Sequence, residues 1–405
     1  MDSARNPYTP NAGASPEIVV GRDEQTKAFR TLLGRLGAGR THQSMVMVGL
    51  RGVGKTVLLN EFRDIAHQEN WEVIEHEASK HDDSRFRQTM ATLLRGALLR
   101  LSPRARWTDR GHRAASVITA FSVSMDQQGT WSLGWDVEPS EGLGDHGELG
   151  MDLSDALVAV GEAAQERQRG VAILIDEVQF LSARQLEALI QAIHKTVQRK
   201  LPITFVGAGL PQIAELAGDA KSYAERLFQF PTVDSLSPED ARTAITDPAA
   251  AESVQYDDDA VDLAVEITRG YPYFIQELGY QVWEIAEQNP ISRDDVEQAR
   301  EAYEAKLDSS FFRVRLDRAT PLQSAYMRAM AELGPEPQKA DAVARVLGRE
   351  SSQVGPTRAE LIDMGLLYTP EHGYAAFTVP DFDKYMLRTV PELLVPPIQK
   401  RKKRT

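Results

Sequence analysis

The stretch Gly49-Leu50-Arg51-Gly52-Val53-Gly54-Lys55-Thr56 decides the fold of this 405-residue chain. It follows the apolar run Ser44–Val48, which predicts a short buried strand, and a helical pattern begins directly after it at Val57. The spacing fits G-x-x-x-x-G-K-[ST], in which glycines let the loop curl and turn its N–H groups toward phosphate. The loop and Val57 are therefore predicted to bind a nucleoside triphosphate, with Lys55 reaching the outer phosphates and Thr56 binding magnesium.

A second apolar run, Val171–Ile175, ends in two adjacent carboxylates, Asp176 and Glu177. Such a run is typical of a strand in the middle of a parallel sheet that helices cover on both faces. An open α/β sheet binds its ligands at the carboxyl ends of its strands. Asp176 is therefore predicted to hold magnesium, and Glu177 to polarise the attacking water as general base. Further strands, separated by helical stretches, are predicted at residues 71–75, 203–206 and 228–233.

The composition excludes several classes of function. The chain has no cysteine, which excludes thiol catalysis and cysteine-ligated zinc. No apolar run approaches the roughly 18 residues of a membrane helix, and the N-terminus is polar, so we expect a cytoplasmic protein without a membrane partner. The net charge of −13 argues against a broad nucleic-acid-binding surface. The basic run Lys400–Arg404 leaves room for a local DNA contact, but it is equally typical of a solvated tail.

With these motifs, residues 6–388 resemble an AAA+ ATPase, one of the ASCE P-loop NTPases, and more narrowly the origin-recognition-like, archaeal-type and STAND ATPases. The segments Asn6–Pro10 and Ile18–Glu24 add to this similarity. The resemblance implies ATP and Mg²⁺ as cofactors, ATPase activity, and a homo-oligomer in the ATP-bound state. It also implies that Val19 and Val20 line the base pocket, although a short strand packed on the core explains these residues equally well.

The resemblance implies three further features. Arg226, at the end of a helix before the predicted fifth strand, takes the place of the family's arginine finger, which acts from a neighbouring subunit. A helix C-terminus favours an arginine in any case. Gly270-Tyr-Pro272 is similar to a motif in which Pro272 would report the nucleotide state through the lid, and it also fits a plain helix start. The predicted fourth strand ends in Gly207-Ala-Gly209, without the family's usual polar residue, which implies slow hydrolysis.

The helix and strand patterns divide the chain into five parts. These are a flexible segment at 1–17, a P-loop ATPase core at 18–235, a helical lid at 236–318, a winged helix-turn-helix domain at 319–390 and a basic tail at 391–405. Surplus sequence at about 105–150 predicts an inserted hairpin whose first strand is Ile118–Met125 and which carries Trp131 and Trp135. The hairpin is interpreted either as a surface for a protein partner or as a packed decoration.

The C-terminal pattern of three helices and a hairpin predicts the winged helix. Gln353, Thr357 and Arg358 are the candidates for contacts with double-stranded DNA, because they are expected to be exposed on the third helix. The acidic residues of this domain favour a protein-binding winged helix as the alternative. Two functions remain open. One is an ATPase that couples ATP binding and hydrolysis to a DNA-binding winged helix. The other is a signalling or assembly switch with slow or no hydrolysis, whose winged helix binds protein.

Overall fold

The structure, a computed structural model, describes residues 1–11, 13–80, 82–103, 107–123 and 135–397. The first sheet has five parallel strands in the order β2-β3-β4-β1-β5. Its strands are β1 (Ser44–Val48), β2 (Glu72–Glu77), β3 (Val171–Asp176), β4 (Ile203–Gly209) and β5 (Phe228–Gln229). This confirms the predicted α/β fold of a P-loop NTPase. The fifth strand is shorter than predicted, although Thr232 still forms a bridge to Val48.

Helices cover both faces of this sheet. They are α1 (Asp23–Gly37), α2 (Lys55–Gln68), α3 (Asp83–Leu101), α4 (Asp109–Val123), α5 (Leu149–Glu166), α6 (Ala183–Gln198), α7 (Ile213–Ala220) and α8 (Ala224–Leu227). Local chemistry fixes where they begin. For example, Ser182 and Gln185 form a capping box at the start of α6, in which each side chain accepts a backbone N–H of the other residue. No helix in the described ranges is both long and apolar enough to span a bilayer.

The prediction of a strand at Ile118–Met125 is wrong, because α4 continues to Val123. Ala114, Ile118 and Phe121 are fully buried together, which is the three-to-four-residue spacing of a helix face and not the alternation of a strand. Trp135 packs on this helix and donates its indole N–H to Thr119 Oγ1 at 3.1 Å. Trp131 and most of the predicted second strand lie outside the described residues.

The lid is made of four helices, α9 (Pro238–Ala251), α10 (Asp258–Thr268), α11 (Pro272–Ile285) and α12 (Arg293–Lys306). The N-terminal segment packs against it. Tyr8 is 1% exposed, lies against Gly279 where a side chain would clash, and donates its hydroxyl to Ile245 O. The expectation of a flexible segment is therefore wrong for residues 1–11, because an aromatic side chain fills a space that a glycine leaves open on the lid.

A junction and a C-terminal domain follow the lid. The junction consists of a π-helical segment (Leu307–Phe312) and α13 (Arg313–Leu316). The domain contains α14 (Pro321–Leu333), β6 (Gln338–Lys339), α15 (Ala340–Val346), α16 (Ser351–Asp363), β7 (Leu367–Tyr368), β8 (Tyr374–Phe377) and α17 (Phe382–Thr389). Its antiparallel sheet has the order β6-β8-β7. Three helices and a hairpin follow one another as the sequence predicts for a winged helix.

Candidate functional site

The loop between β1 and α2 curls as its glycines require. An added Cβ at Gly49 would lie 2.1 Å from the carbonyl oxygen of Val233, so only glycine fits where the loop leaves β1. Gly54 caps α2 with a left-handed φ of 92°, and an added Cβ there would meet no atom within 4 Å. The N-terminus of α2 therefore faces open space, as a helix end that receives phosphate must.

Lys55 lies inside this curl and is 9% exposed. Its ammonium donates to the carbonyl oxygens of Gly49 at 3.0 Å and Leu50 at 2.7 Å. Burial lowers the pKa of Lys55 to about 8, although the nearby carboxylates of Glu177 and Asp176 oppose that shift. Lys55 therefore lies buried inside the loop with a lowered pKa. An anionic ligand bound there would raise that pKa again.

Thr56 and Asp176 form the second feature of the site. The Thr56 hydroxyl donates to Asp176 Oδ2 at 2.5 Å, and the backbone N–H of Glu177 donates to Asp176 Oδ1 at 2.7 Å. Burial raises the pKa of Asp176, and these hydrogen bonds pull it back. A hydroxyl and a carboxylate are the oxygen ligands that magnesium prefers. The described residues contain no group of three or more His, Asp or Glu side chains that could hold a metal ion, so phosphate oxygens and water would complete its shell.

Glu177 adopts a left-handed backbone conformation, with φ 52° and ψ 38°, directly after β3. Strained conformations of non-glycine residues cluster at functional sites. Both of its carboxylate oxygens are engaged. Oε1 lies 3.3 Å from the guanidinium of Arg51, and Oε2 accepts a hydrogen bond from the Gln179 amide. These two bonds hold the carboxylate in one orientation, so a water that it polarises would share an oxygen with Arg51 or Gln179.

Gln179 is a site residue that the sequence analysis missed. Its Oε1 accepts the backbone N–H of Leu210 at 3.1 Å, just beyond the end of β4. An added Cβ at Gly209 would lie 2.9 Å from that oxygen, so the glycine makes room for the amide. The polar residue that the family usually has at the end of the fourth strand is absent from β4. The side-chain amide of Gln179, from the turn after β3, lies beside that end of the strand. The sequence does contain a signal for this contact. Two glycines at the end of β4 leave space for a side chain, and a polar side chain that could fill it follows Glu177 by two residues.

A cavity of about 430 Å³ extends from the phosphate loop toward the N-terminal segment and the lid. Val19, Val20 and Pro272 line it, and Val19 is 38% exposed despite its apolar side chain. Contact of these residues with a nucleotide stays a prediction. Thr9 also lines it, and its hydroxyl oxygen is buried without a hydrogen-bond partner among the described residues. An apolar wall with one orphaned polar atom fits a nucleotide base with polar edges.

The start of α11 touches the phosphate loop. Tyr273 donates its backbone N–H to Gly52 O at 3.2 Å, and the Tyr271 hydroxyl donates to Arg51 O. Burial raises the pKa of both tyrosine hydroxyls, so they stay protonated. Pro272 lies between these two contacts, which connects the predicted lid motif physically to the loop.

Arg51 joins the loop to the C-terminal domain. Its backbone N–H donates to Thr378 O at 3.1 Å, and its side-chain Nε donates to Gly365 O at 3.3 Å. The same guanidinium holds Glu177. The sequence predicts Arg51 only as part of the nucleotide-binding loop. The loop motif does not indicate that residues more than 300 positions later in the chain contact this arginine.

The two peripheral predictions have different outcomes. Arg226 is exposed on α8 and does not line the cavity, so its role as a finger for a neighbouring subunit stays a prediction. Thr357 is 6% exposed, so the prediction that it faces outward from α16 is wrong; it points into the apolar interior of the domain. Arg358 donates to Thr369 and to Tyr374 O on the hairpin, while Gln353 caps the start of α16.

Comparisons with known proteins identify two regions. Residues 18–206 match the AAA ATPase domain family, and residues 309–386 match a domain of unknown function, DUF8462. The chain is 21% identical over 365 residues to an uncharacterized HTH-type transcriptional regulator of Methanocaldococcus jannaschii, covering 88% of this chain and 85% of that one.

Solved structures agree on the fold. The chain is similar to the Walker-type ATPase PABY2304 of Pyrococcus abyssi, with a TM-score of 0.58 and 15% identity over 92% of this chain and 97% of that one. A weaker likeness, with a TM-score of 0.47, is to the ORC2 protein of Aeropyrum pernix, with 15% identity over 95% of this chain and 98% of that one.

Proposed function

Because the chain carries an AAA ATPase domain, we propose that it is an ATP-dependent switch in which the bound nucleotide controls whether the C-terminal domain stays docked on the phosphate loop. One observation supports this proposal above all others. Arg51 is part of the loop, and its side chain bonds both to Glu177 and to the backbone of the C-terminal domain. A change at the phosphates would therefore reach the C-terminal domain through a single residue.

The proposal gives each site residue a role. Lys55 and the loop N–H groups bind the phosphates of ATP. Thr56 and Asp176 hold Mg²⁺, which would neutralise charge on the phosphates when bound. Glu177 orients the attacking water as general base, and Val19 and Val20 pack on the base.

Slow hydrolysis follows from the bonds of Glu177. General-base catalysis requires a carboxylate oxygen within hydrogen-bond reach of the water. Arg51 and Gln179 hold the carboxylate in place, and the ion pair with Arg51 makes it a weaker base, so we expect turnover to be faster once Arg51 leaves Glu177. We propose that this release accompanies undocking of the C-terminal domain. Arg226 would then act on a nucleotide bound by a neighbouring copy in an ATP-bound oligomer.

DNA binding is the second candidate function, because the Methanocaldococcus relative is named as an HTH-type transcriptional regulator. The exposed surface of α16 does not favour it. Arg358 is the only basic residue of this helix, and it is folded onto the hairpin. The exposed side chains include Glu360 and Asp363, which would repel phosphate. We therefore place a protein partner first for this surface.

The decisive experiment measures ATP binding and steady-state hydrolysis by the full chain, with and without duplex DNA. We expect tight ATP binding, slow turnover and no stimulation by DNA at low salt. Glu177→Gln should keep binding and lose turnover, whereas Lys55→Ala should lose binding. Strong stimulation by DNA would replace the switch by a DNA-coupled ATPase. Equal binding by the wild type and Lys55→Ala would contradict the nucleotide site itself.

A further inference from the structure

Arg315 is a further cation of the cavity, beside Lys55, Arg51 and Arg22, and it lies outside every motif that the sequence analysis identifies. It lies on α13 in the junction, within the region matched only to a domain of unknown function. Its side chain lines the same cavity as Lys55 and Arg51. The guanidinium stacks on the ring of Phe311 at 4.2 Å and donates to Phe311 O.

Arg315 has no carboxylate within 4.0 Å in the part of the chain that the structure describes. By contrast, Arg313 on the same helix lies 3.5 Å from Asp317, and Arg388 of α17 lies 2.6 Å from Asp308 in the junction. Burial, and after it the charge of the nearby Arg51 guanidinium, lower the pKa of Arg315 to about 10. Arg51 lines the same cavity but has Glu177 as its ion-pair partner, so Arg315 is the arginine of the two without a carboxylate.

An unpaired, partly desolvated guanidinium is costly unless an anion joins it. Phosphate is the anion whose geometry matches two N–H groups of one guanidinium. The base end of the cavity is apolar, at Val19 and Val20, whereas Arg315 lines the cavity close enough to Arg51 for their charges to interact, and Arg51 lies 3.3 Å from Glu177, where the terminal phosphate belongs. We infer that Arg315 binds the terminal phosphate of ATP and so distinguishes ATP from ADP. This inference rests on the proposed nucleotide site.

Arg315 is also physically connected to the C-terminal domain, so the difference between bound ATP and bound ADP can reach that domain. Phe311 and Phe312 lie one turn before it on the same helical segment. Phe312 stacks on Tyr385 of α17 with ring centroids 5.2 Å apart. A contact that draws Arg315 toward the phosphates therefore moves a segment to which the C-terminal domain is fixed by aromatic packing.

The test compares affinities for ADP and for a non-hydrolysable ATP analogue with an imido bridge, by calorimetry with Mg²⁺. Arg315→Ala should weaken the ATP analogue at least about tenfold, since a hydrogen bond to a charged group is lost, and change ADP binding less than about threefold. Arg315→Lys should recover part of the preference because it keeps the charge but not the planar fork. Arg318→Ala is the matched control, because Arg318 is exposed on the same segment and should change neither affinity.

The possible outcomes separate the assignment of Arg315 from the proposed nucleotide site. Equal losses for both nucleotides, or no loss for either, would overturn the assignment of Arg315. A wild-type protein that binds neither nucleotide would contradict the proposed function instead, and the two failures are thereby distinguished. ADP binding and the melting temperature report folding. If the alanine variant does not fold, Arg315→Gln replaces it, since glutamine keeps a planar donor and most of the length without the charge.

Discussion

The C-terminal domain is attached to the rest of the molecule on two sides, and the two attachments differ in kind. At the junction, Phe312 is 2% exposed and packs on Phe382 and Tyr385. On the other side, the contacts are polar and partly exposed, through Arg51 of the phosphate loop and Lys80 of the segment after β2. Apolar packing holds two elements in one geometry, whereas solvated polar contacts exchange readily with water. We therefore call the aromatic attachment around Phe312 the hinge, because it should stay in place. We call the polar attachment through Arg51 and Lys80 the latch, because it should be able to release.

The largest expected effect comes from breaking the hinge. Phe312→Ala should destabilise the protein by about 3–5 kcal/mol, because it removes a buried ring and leaves a cavity. Denaturant unfolding measures this change. Val314→Ala is the control, since Val314 is 49% exposed on the same segment and should alter stability by less than about 0.5 kcal/mol. A loss of under 1 kcal/mol for Phe312→Ala would mean that the aromatic side is not the stronger attachment.

ATP binding at the phosphate loop, on the latch side, should depend on pH. The aromatic packing of the hinge should not. Lys55 binds phosphate only when protonated, and burial lowers its pKa to about 8. ATP affinity should therefore be constant below that pH and fall up to about tenfold per pH unit above it. Titrations between pH 7 and 9.5 check this. Lys55→Arg keeps its charge over this range and should remove the dependence. A wild-type affinity that stays flat to pH 9.5 would contradict the prediction.

Releasing the latch should raise turnover. In Arg51→Ala, Glu177 loses its ion pair and one of its oxygens becomes available to water. We expect hydrolysis at saturating ATP to increase several-fold, together with faster proteolysis between the lid and the C-terminal domain. Arg51→Lys, which keeps the charge, should show a smaller change. Turnover that falls in Arg51→Ala would show that this arginine assists hydrolysis directly.

The smallest effect is expected at the edge of the latch. Lys80 donates to Asp363 O at 2.8 Å and pairs with the carboxylate of the same residue, and both side chains are well exposed. Asp363→Asn should change stability by less than about 1 kcal/mol, and added salt should reduce even that difference. Unfolding at low and high salt measures it. A loss comparable to Phe312→Ala would remove the distinction between hinge and latch.

The sequence predicted the parts of the site that are local in the chain. The loop, the paired carboxylates and the strand before each are short motifs whose chemistry fixes their own geometry. Its errors came from two sources. At Ile118–Phe121, β-branched and aromatic residues suggested a strand, but the period of burial is helical. At Thr357, helix orientation was assigned without knowing which face packs.

What could not be predicted is the set of contacts between distant parts of the chain. The bond from Arg51 to Gly365 spans 314 residues, and no local pattern encodes it. Arg315 is similar, since an arginine among Arg313 and Arg318 carries no mark of the cavity that it lines. Gln179 falls between these cases, because its partner Glu177 is two residues away while its second contact is with Leu210.

Gly365, which follows α16, has a consequence for how this architecture changes over generations. Its φ is 69°, and the position of a Cβ there would lie 2.6 Å from the guanidinium of Arg51. A side chain at position 365 would strain the backbone and push the end of the Arg51 side chain aside. A C-terminal domain grafted onto this ATPase core would therefore need glycine at that position to keep the bond from Arg51 to its backbone.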